Sequence, residues 1–155
     1  MKVLDYLPEE VIEADLKSDT KIGVLKELVQ LLVNNHQVKD ANKALEVLLE
    51  REKLGSTGIG DGVAIPHAKF NDIKTLVAAF GRSREGVNFE SLDNKPAHLF
   101  FLFLAPENSA TLHLKILARI SRLLKKTTFR EALMQAEGGK TIFQAIADEE
   151  KDVIG

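Results

Sequence analysis

The histidine at position 67 is the residue of this sequence best placed to do chemistry. Pro66 fixes its own φ and biases Ile65 toward extended backbone, so His67 follows a stiff, strand-like segment. The stretch just before it, residues 55–62, contains four glycines and is rich in free backbone N–H groups. An imidazole beside such donors is suited to accept a phosphoryl group and to hold its oxygens.

Ser56 and Thr57 lie within the glycine-rich stretch and add two hydroxyl groups to the candidate site. We expect these hydroxyls to donate hydrogen bonds to phosphate oxygens. A sharply turned connection that binds no ligand is the alternative for the stretch taken alone, because glycine also serves tight turns.

The two common nucleotide-binding loops fail on chemistry. A P-loop that starts at Gly55 reaches Gly60, but Asp61 then stands where the phosphate-binding lysine is required. A dinucleotide fingerprint that starts at Gly58 requires a third glycine at position 63, where the sequence has valine, and a helix precedes it instead of a strand. The sequence therefore predicts no nucleotide cofactor.

Composition narrows the remaining classes. The chain of 155 residues has no cysteine, which excludes disulfides, thiolate zinc sites and a cysteine nucleophile. Its four histidines show no metal-ligand spacing such as His-Glu-x-x-His, so we expect no metal. A net charge of −2 gives no basic footprint for nucleic acid. The longest apolar run, Leu99 to Ala105, is too short to span a membrane. These features predict a soluble, intracellular protein formed by one domain over residues 1–155, without membrane insertion.

Hydrophobic periodicity predicts the elements that must position His67. Helices are expected over about Asp19–Asn34 and Asp40–Lys53, after a cap at Thr111, and near Thr128–Ala136 and Thr141–Asp148. Buried strands are expected at Leu76–Phe80 and Leu99–Ala105, with short strands near Val11–Ala14 and Val63–Ile65, and a turn-rich connection over Gly81–Asn88. This order favours an α/β fold, a central mixed β-sheet flanked by helices on both faces, with a strand order that the sequence does not give.

The residues from Arg51 to His67, Arg-Glu-Lys-Leu-Gly-Ser-Thr-Gly-Ile-Gly-Asp-Gly-Val-Ala-Ile-Pro-His, resemble a known signature. It is the active-site signature of the IIA domains of the bacterial phosphoenolpyruvate-dependent phosphotransferase system, of the fructose/mannitol type that includes the nitrogen-regulatory IIA proteins. Asp93 to Pro96, the apolar strand that ends before Pro106, and the helix that follows His113 are also similar to that family. Ala68 stands where glycine is commoner, a variation that the family accepts.

The resemblance implies a phosphocarrier in which His67 is the phosphorylated nucleophile. Its donor would be an HPr-type phosphocarrier or the nitrogen-branch counterpart, and its acceptor a IIB domain. The family's helix-end arginine corresponds to Arg51 and its second active-site histidine to His113. Arg51 would offer a cation to the phosphoryl oxygens, and His113, near a helix N-terminus, would donate a hydrogen bond to them. Ile59 and Phe70 are the candidates for an apolar rim that meets a partner.

Three functions remain open at this level. The first is a IIA phosphocarrier of sugar uptake, and the second is a nitrogen-regulatory IIA protein whose phosphorylation state controls binding to target proteins. The third is a ligand-binding module that transfers nothing. The set of Arg51, His67 and His113 argues against the third. The length of the chain and the run from Gly55 to His67 mildly favour the second.

Overall fold

The computed structural model describes residues 1–152. Short 3₁₀ turns at Val3–Asp5 and Glu9–Val11 precede six strands and five α-helices. The strands are β1 (Ile12–Glu13), β2 (Gly58–Gly60), β3 (Val63–Ala64), β4 (His67–Lys69), β5 (Val77–Val87) and β6 (Ala97–Ala105). The helices are α1 (Lys21–Asn34), α2 (Ala41–Lys53), α3 (Ala110–Leu124), α4 (Thr127–Gln135) and α5 (Gly139–Asp152). No helix among these residues is long and apolar enough to cross a bilayer.

The strands form one mixed sheet in the order β1-β5-β6-β3-β2, and β4 also pairs with β6. The long central pair, β5 and β6, is antiparallel, whereas β1 runs parallel to β5, and β3 and β4 run parallel to β6. Both central strands are buried over most of their length, so the apolar runs that predicted them correspond to the middle of the sheet.

Two consecutive residues of β5 show that helices cover both faces of this sheet. A Cβ atom on Gly81 would lie 2.9 Å from the side chain of Leu28, so α1 packs directly on that face. The next side chain, Arg82, donates hydrogen bonds to the carbonyl oxygens of Leu133 and Met134 in α4. Successive strand residues point to opposite faces, so α1 and α4 lie on opposite sides. The predicted mixed sheet with helices on both faces is confirmed.

The expectation of a turn-rich connection over residues 81–88 is wrong, because β5 continues to Val87. Its pairing with β6 extends past Arg82 through a register shift to the pair Val87 and Ala97. Gly86, at φ +91°, adopts the left-handed backbone that this irregularity requires. Glycine and charged residues made the segment look like a turn, but here they serve close helix packing and a buried guanidinium.

Helix starts differ from the expected positions by one or two residues. Thr20 caps α1, because its Oγ1 accepts from the Gly23 N–H, so the helix begins at Lys21 and not at Asp19. The expected cap at Thr111 is also wrong. The chain turns earlier, where the Ser109 N–H donates to the Pro106 carbonyl oxygen, so α3 already begins at Ala110.

Candidate functional site

His67 is the first residue of β4, a short strand that the sequence did not predict. Its strand partner is Phe103 of β6, and parallel neighbours in register project their side chains from the same face. The imidazole stacks on the Phe103 ring, with ring centroids 5.2 Å apart and an interplanar angle of 13°. One face of the imidazole is therefore fixed against the sheet, and the ring is half-buried.

The structure also decides the tautomer of His67. Nδ1 lies 2.6 Å from the carbonyl oxygen of Ile65, which can only accept, so Nδ1 carries the proton. In the neutral ring the lone pair is then on Nε2. Burial lowers the pKa of His67 below 6.5. The hydrogen bond to Ile65 raises this pKa, the Arg51 cation lowers it further, and the Glu52 carboxylate raises it, in decreasing order of size. Near neutral pH the ring is neutral, and Nε2 carries a free lone pair.

Arg51 and His113 meet His67 in one cleft of about 550 Å³ between α2, β4 and the start of α3. The His113 ring lies edge-on to His67, with centroids 5.3 Å apart, and edge-on to Phe103 at 5.1 Å. Arg51 is in the last turn of α2, where its Nη1 donates to the Gly55 carbonyl oxygen at 2.9 Å. The three residues singled out in the sequence are thus brought together by three different elements.

Two cations, Arg51 and Lys69, lie in the cleft with the two imidazoles, and the carboxylates of Glu46 and Glu50 line it as well. Burial lowers the pKa of His113 as well, and the positive charges of His67, Lys69 and Arg51 lower it further, in that order. Sequence reasoning missed Lys69. It lies two residues after His67 on β4, so the two side chains leave the strand on the same side. Strand periodicity could have found it, had β4 been recognised. A cleft with these cations favours an anionic group beside His67.

The expected apolar rim differs from the one in the structure. Phe70 is 4% exposed and belongs to the core, so it cannot contact a partner. Ile59 is exposed on β2, but it does not line the cleft. Leu54 lines the cleft and is 84% exposed, and Leu114, next to His113, is 67% exposed. If a strand had been recognised at residues 67–69, the alternation of side chains along it would have indicated that Phe70 points into the core.

Neither Ser56 nor Thr57 lines the cleft, and their hydroxyl protons are already donated to other groups. Ser56 Oγ donates to the Phe89 carbonyl oxygen at 2.8 Å, and Thr57 Oγ1 donates to a carboxylate oxygen of Glu52. Thr57 is also buried. Phosphate binding by these two hydroxyls stays a prediction, and it would require that each of them leaves its present acceptor.

Within residues 1–152 no group of three or more histidine, aspartate or glutamate side chains is arranged to hold a metal ion. Of the two remaining histidines, His98 directs Nδ1 to the Ser83 carbonyl oxygen, and His36 is exposed. Neither lines the cleft at His67. The groups available for chemistry there are two imidazoles, two cations and the carboxylates of Glu46 and Glu50.

Comparison with known proteins assigns the chain to one family. Residues 5–149 match the family described as "Phosphoenolpyruvate-dependent sugar phosphotransferase system, EIIA 2". This match spans nearly the whole chain, and the chain belongs to that family. The family is a component of a phosphotransferase system.

Individual relatives fall into two groups. The fructose-specific EIIA component of Haloferax volcanii is 40% identical over 141 residues, covering 91% of this chain and 92% of that protein. The fructose-specific EIIABC component of Bacillus subtilis is 40% identical over 97% of this chain, which spans only 24% of that longer protein. The crystal structure of the nitrogen regulatory protein IIA-Ntr from Neisseria meningitidis is 34% identical, with a TM-score of 0.85, covering 92% of this chain and 97% of that one.

Proposed function

We propose that this chain is a cytoplasmic phosphocarrier, a single IIA domain that accepts a phosphoryl group on Nε2 of His67 from an HPr-type protein. The observation that carries the proposal is the hydrogen bond from His67 Nδ1 to the Ile65 carbonyl oxygen, which leaves the lone pair on Nε2. That nitrogen belongs to a ring that lines a cleft shared with Arg51 and His113.

In the proposed step, the Nε2 lone pair forms an N–P bond as the donor's own N–P bond breaks. The ring keeps its Nδ1 proton and gains positive charge, and the Ile65 carbonyl oxygen already accepts from that proton. Stacking on Phe103 fixes the plane of the ring, which limits the directions of attack. Phosphoryl transfer depends mainly on such positioning and on charge stabilisation at the equatorial oxygens.

Arg51 and His113 take the stabilising roles. The Nε and Nη2 groups of Arg51 make no hydrogen bond to any described residue, so they can donate to phosphoryl oxygens. His113 lies in the first turn of α3, where the helix dipole favours an anion and a ring N–H can donate. The same set would then release the group to a IIB partner, with an imidazole as leaving group.

Labelling tests the proposal directly. The wild type, incubated with phosphoenolpyruvate, enzyme I and HPr, should gain an acid-labile phosphate, and His67→Ala should gain none. His36→Asn is the matched control, because His36 is exposed at φ +60°, a backbone that asparagine also tolerates. Nitrogen NMR of the labelled ring should place the phosphorus on Nε2. An unlabelled wild type, or full labelling of His67→Ala, refutes the function.

The recipient separates two branches of this function. Similarity to the fructose-specific EIIA protein of Haloferax volcanii favours transfer to a IIB domain. A solved complex pairs the mannitol IIA of Escherichia coli with its phosphorylated IIB, and that IIA shares this fold with a TM-score of 0.76. Similarity to the IIA-Ntr structure favours the second candidate, a nitrogen-regulatory protein whose phosphorylation state controls target binding. Labelled protein that passes phosphate to a IIB domain supports the first branch, and retention of the label with every IIB domain tested supports the second.

A further inference from the structure

Glu52 is a buried carboxylate directly beside the site, and the phosphoryl-transfer step above does not use it. It follows Arg51 in the last turn of α2, and its side chain is 5% exposed. A negative charge at the C-terminal end of a helix is disfavoured by the helix dipole, and burial of a carboxylate costs further free energy. Such a residue is stable only if strong partners hold it.

The partners of Glu52 come from two other segments. The Lys21 ammonium, at the start of α1, lies 2.9 Å from Oε1. The Thr57 N–H donates to the same oxygen at 3.1 Å, and the Thr57 hydroxyl donates to Oε2. Both carboxylate oxygens are therefore occupied. Glu52 ties the loop at Thr57 to the end of α2 and to the start of α1.

Two chains of hydrogen bonds connect this loop to the reacting groups. Along the first, the Gly55 carbonyl oxygen accepts from Arg51 Nη1 at 2.9 Å. Along the second, the Ile65 N–H donates to the Thr57 carbonyl oxygen at 3.0 Å, and the Ile65 carbonyl oxygen accepts from His67 Nδ1 at 2.6 Å. The segment that Glu52 holds thus supports the side chain of Arg51 and the tautomer of His67.

We infer that Glu52 is a positioning residue for phosphoryl transfer. It acts through Thr57 to hold Arg51 and the His67 ring in fixed positions relative to each other. The inference rests on the proposed function. It also assigns the Thr57 hydroxyl to Glu52 instead of to a phosphate. A phosphoryl group must be met by the nucleophile and by the cation together, and a misplacement of about 1 Å costs on the order of 100-fold in rate.

The charge of Glu52 has a second effect on the same ring. Burial has the largest influence on the pKa of His67 and lowers it, while the nearby Glu52 carboxylate acts in the opposite direction. Removal of that charge should move the pKa of His67 further down. The other charged and titratable groups around the cleft, which stay in place in such a variant, are Arg51, Lys69, His113, Glu46 and Glu50.

Glu52→Gln is the test, and Glu150→Gln is its matched control. Glu150 is also a buried carboxylate that accepts two N–H groups, from Val3 and Leu4, and pairs with a cation, Arg119, at 2.7 Å. It lies on α5, away from the cleft. Loss of either carboxylate lowers stability, but only Glu52→Gln should slow phosphorylation by HPr, by on the order of 100-fold.

Nitrogen NMR of the unphosphorylated protein gives a readout that a merely stabilising residue would not change. In Glu52→Gln, the share of the Nδ1–H tautomer of His67 and the pKa of that ring should both fall, and in Glu150→Gln neither should change. Thr57→Val removes one donor to Glu52, so as a single substitution it should slow labelling. In the double variant with Glu52→Gln it should slow labelling little further. If the rate effects of the two substitutions multiply in the double variant, Thr57 contacts the phosphoryl group itself, and the assignment of its hydroxyl to Glu52 is overturned.

The outcomes separate the inference from the function. If the wild type is labelled and Glu52→Gln is labelled equally fast with unchanged ring signals, the role of Glu52 is wrong while the phosphocarrier stands. Equal slowing of Glu52→Gln and Glu150→Gln also overturns it, because general destabilisation would then explain the loss. A wild type that takes no label refutes the function and, with it, this role. If Glu52→Gln fails to fold, labelling of Thr57→Val at the wild-type rate is the overturning result.

Discussion

Replacement of Arg51 by glutamine tests the electrostatics of the cleft most sharply, because it should change the rate and the pH dependence together. Glutamine retains a hydrogen-bond donor but removes the charge. A hydrogen bond from a charged donor contributes about 1.5–3 kcal/mol, and 1.36 kcal/mol corresponds to a factor of ten in rate. One charged hydrogen bond lost from the transition state should therefore slow phosphorylation of His67 by about 10- to 150-fold.

The pH dependence should shift at the same time. Burial lowers the pKa of His67 and of His113, and the Arg51 cation lowers both further. In Arg51→Gln both pKa values should rise. In the proposed step the neutral ring is the nucleophile, so the rate should fall as pH drops through the pKa of His67. With a higher pKa, this acid limb begins at a higher pH in the variant.

The assay is the rate of label transfer from phosphorylated HPr, measured at pH values on both sides of 6.5, the ordinary pKa of histidine. Lys53→Gln is the control, because Lys53 is an exposed cation in the same turn of α2 that pairs with Glu50 and does not line the cleft. Arg51→Gln with the wild-type rate and an unmoved acid limb would refute the reasoning. Equal effects of the two substitutions would show that only net charge matters.

Three further predictions concern stability. Arg82→Met leaves several buried carbonyl oxygens without a donor, at a cost of about 1–3 kcal/mol each. Urea unfolding should therefore show that the free energy of unfolding falls by about 3 kcal/mol or more. Arg84 is half-exposed, so Arg84→Met should lower it much less. Gly58→Ala would place Cβ 2.4 Å from a serine hydroxyl and should lower the free energy of unfolding by about 1–3 kcal/mol, measured by thermal melts. Gly138→Ala is the control, because its Cβ would meet nothing within 4 Å, and its melting temperature should stay close to that of the wild type. The pKa of His67 is lowered in the folded state, so its contribution to the free energy of unfolding is present above pH 6.5 and is lost as pH falls through the lowered pKa. Urea titrations at several pH values should therefore show this pH dependence of stability in the wild type and lack it in His67→Gln.

The sequence alone determined the local features of the site. Proline before His67, the glycine-rich approach and the apolar periodicity of α2 act over a few residues, so they could be recognised without knowledge of the fold. The buried runs that became the centre of the sheet were equally clear, because strands covered on both faces are apolar throughout. The resemblance then added Arg51 and His113, which no local rule connects to His67.

Only the tertiary structure decided how those residues work together. Residues 81–87 resemble a turn by composition, yet they extend β5, because Gly81 admits α1 and Arg82 finds carbonyl acceptors at the end of α4. Glu52 looks like an ordinary surface acid until α1 and the loop at Thr57 close over it. A backbone carbonyl two residues away determines which nitrogen of His67 keeps the free lone pair. Burial, tautomer and the balance of nearby charges depend on contacts between segments far apart in the chain, which local sequence patterns do not encode.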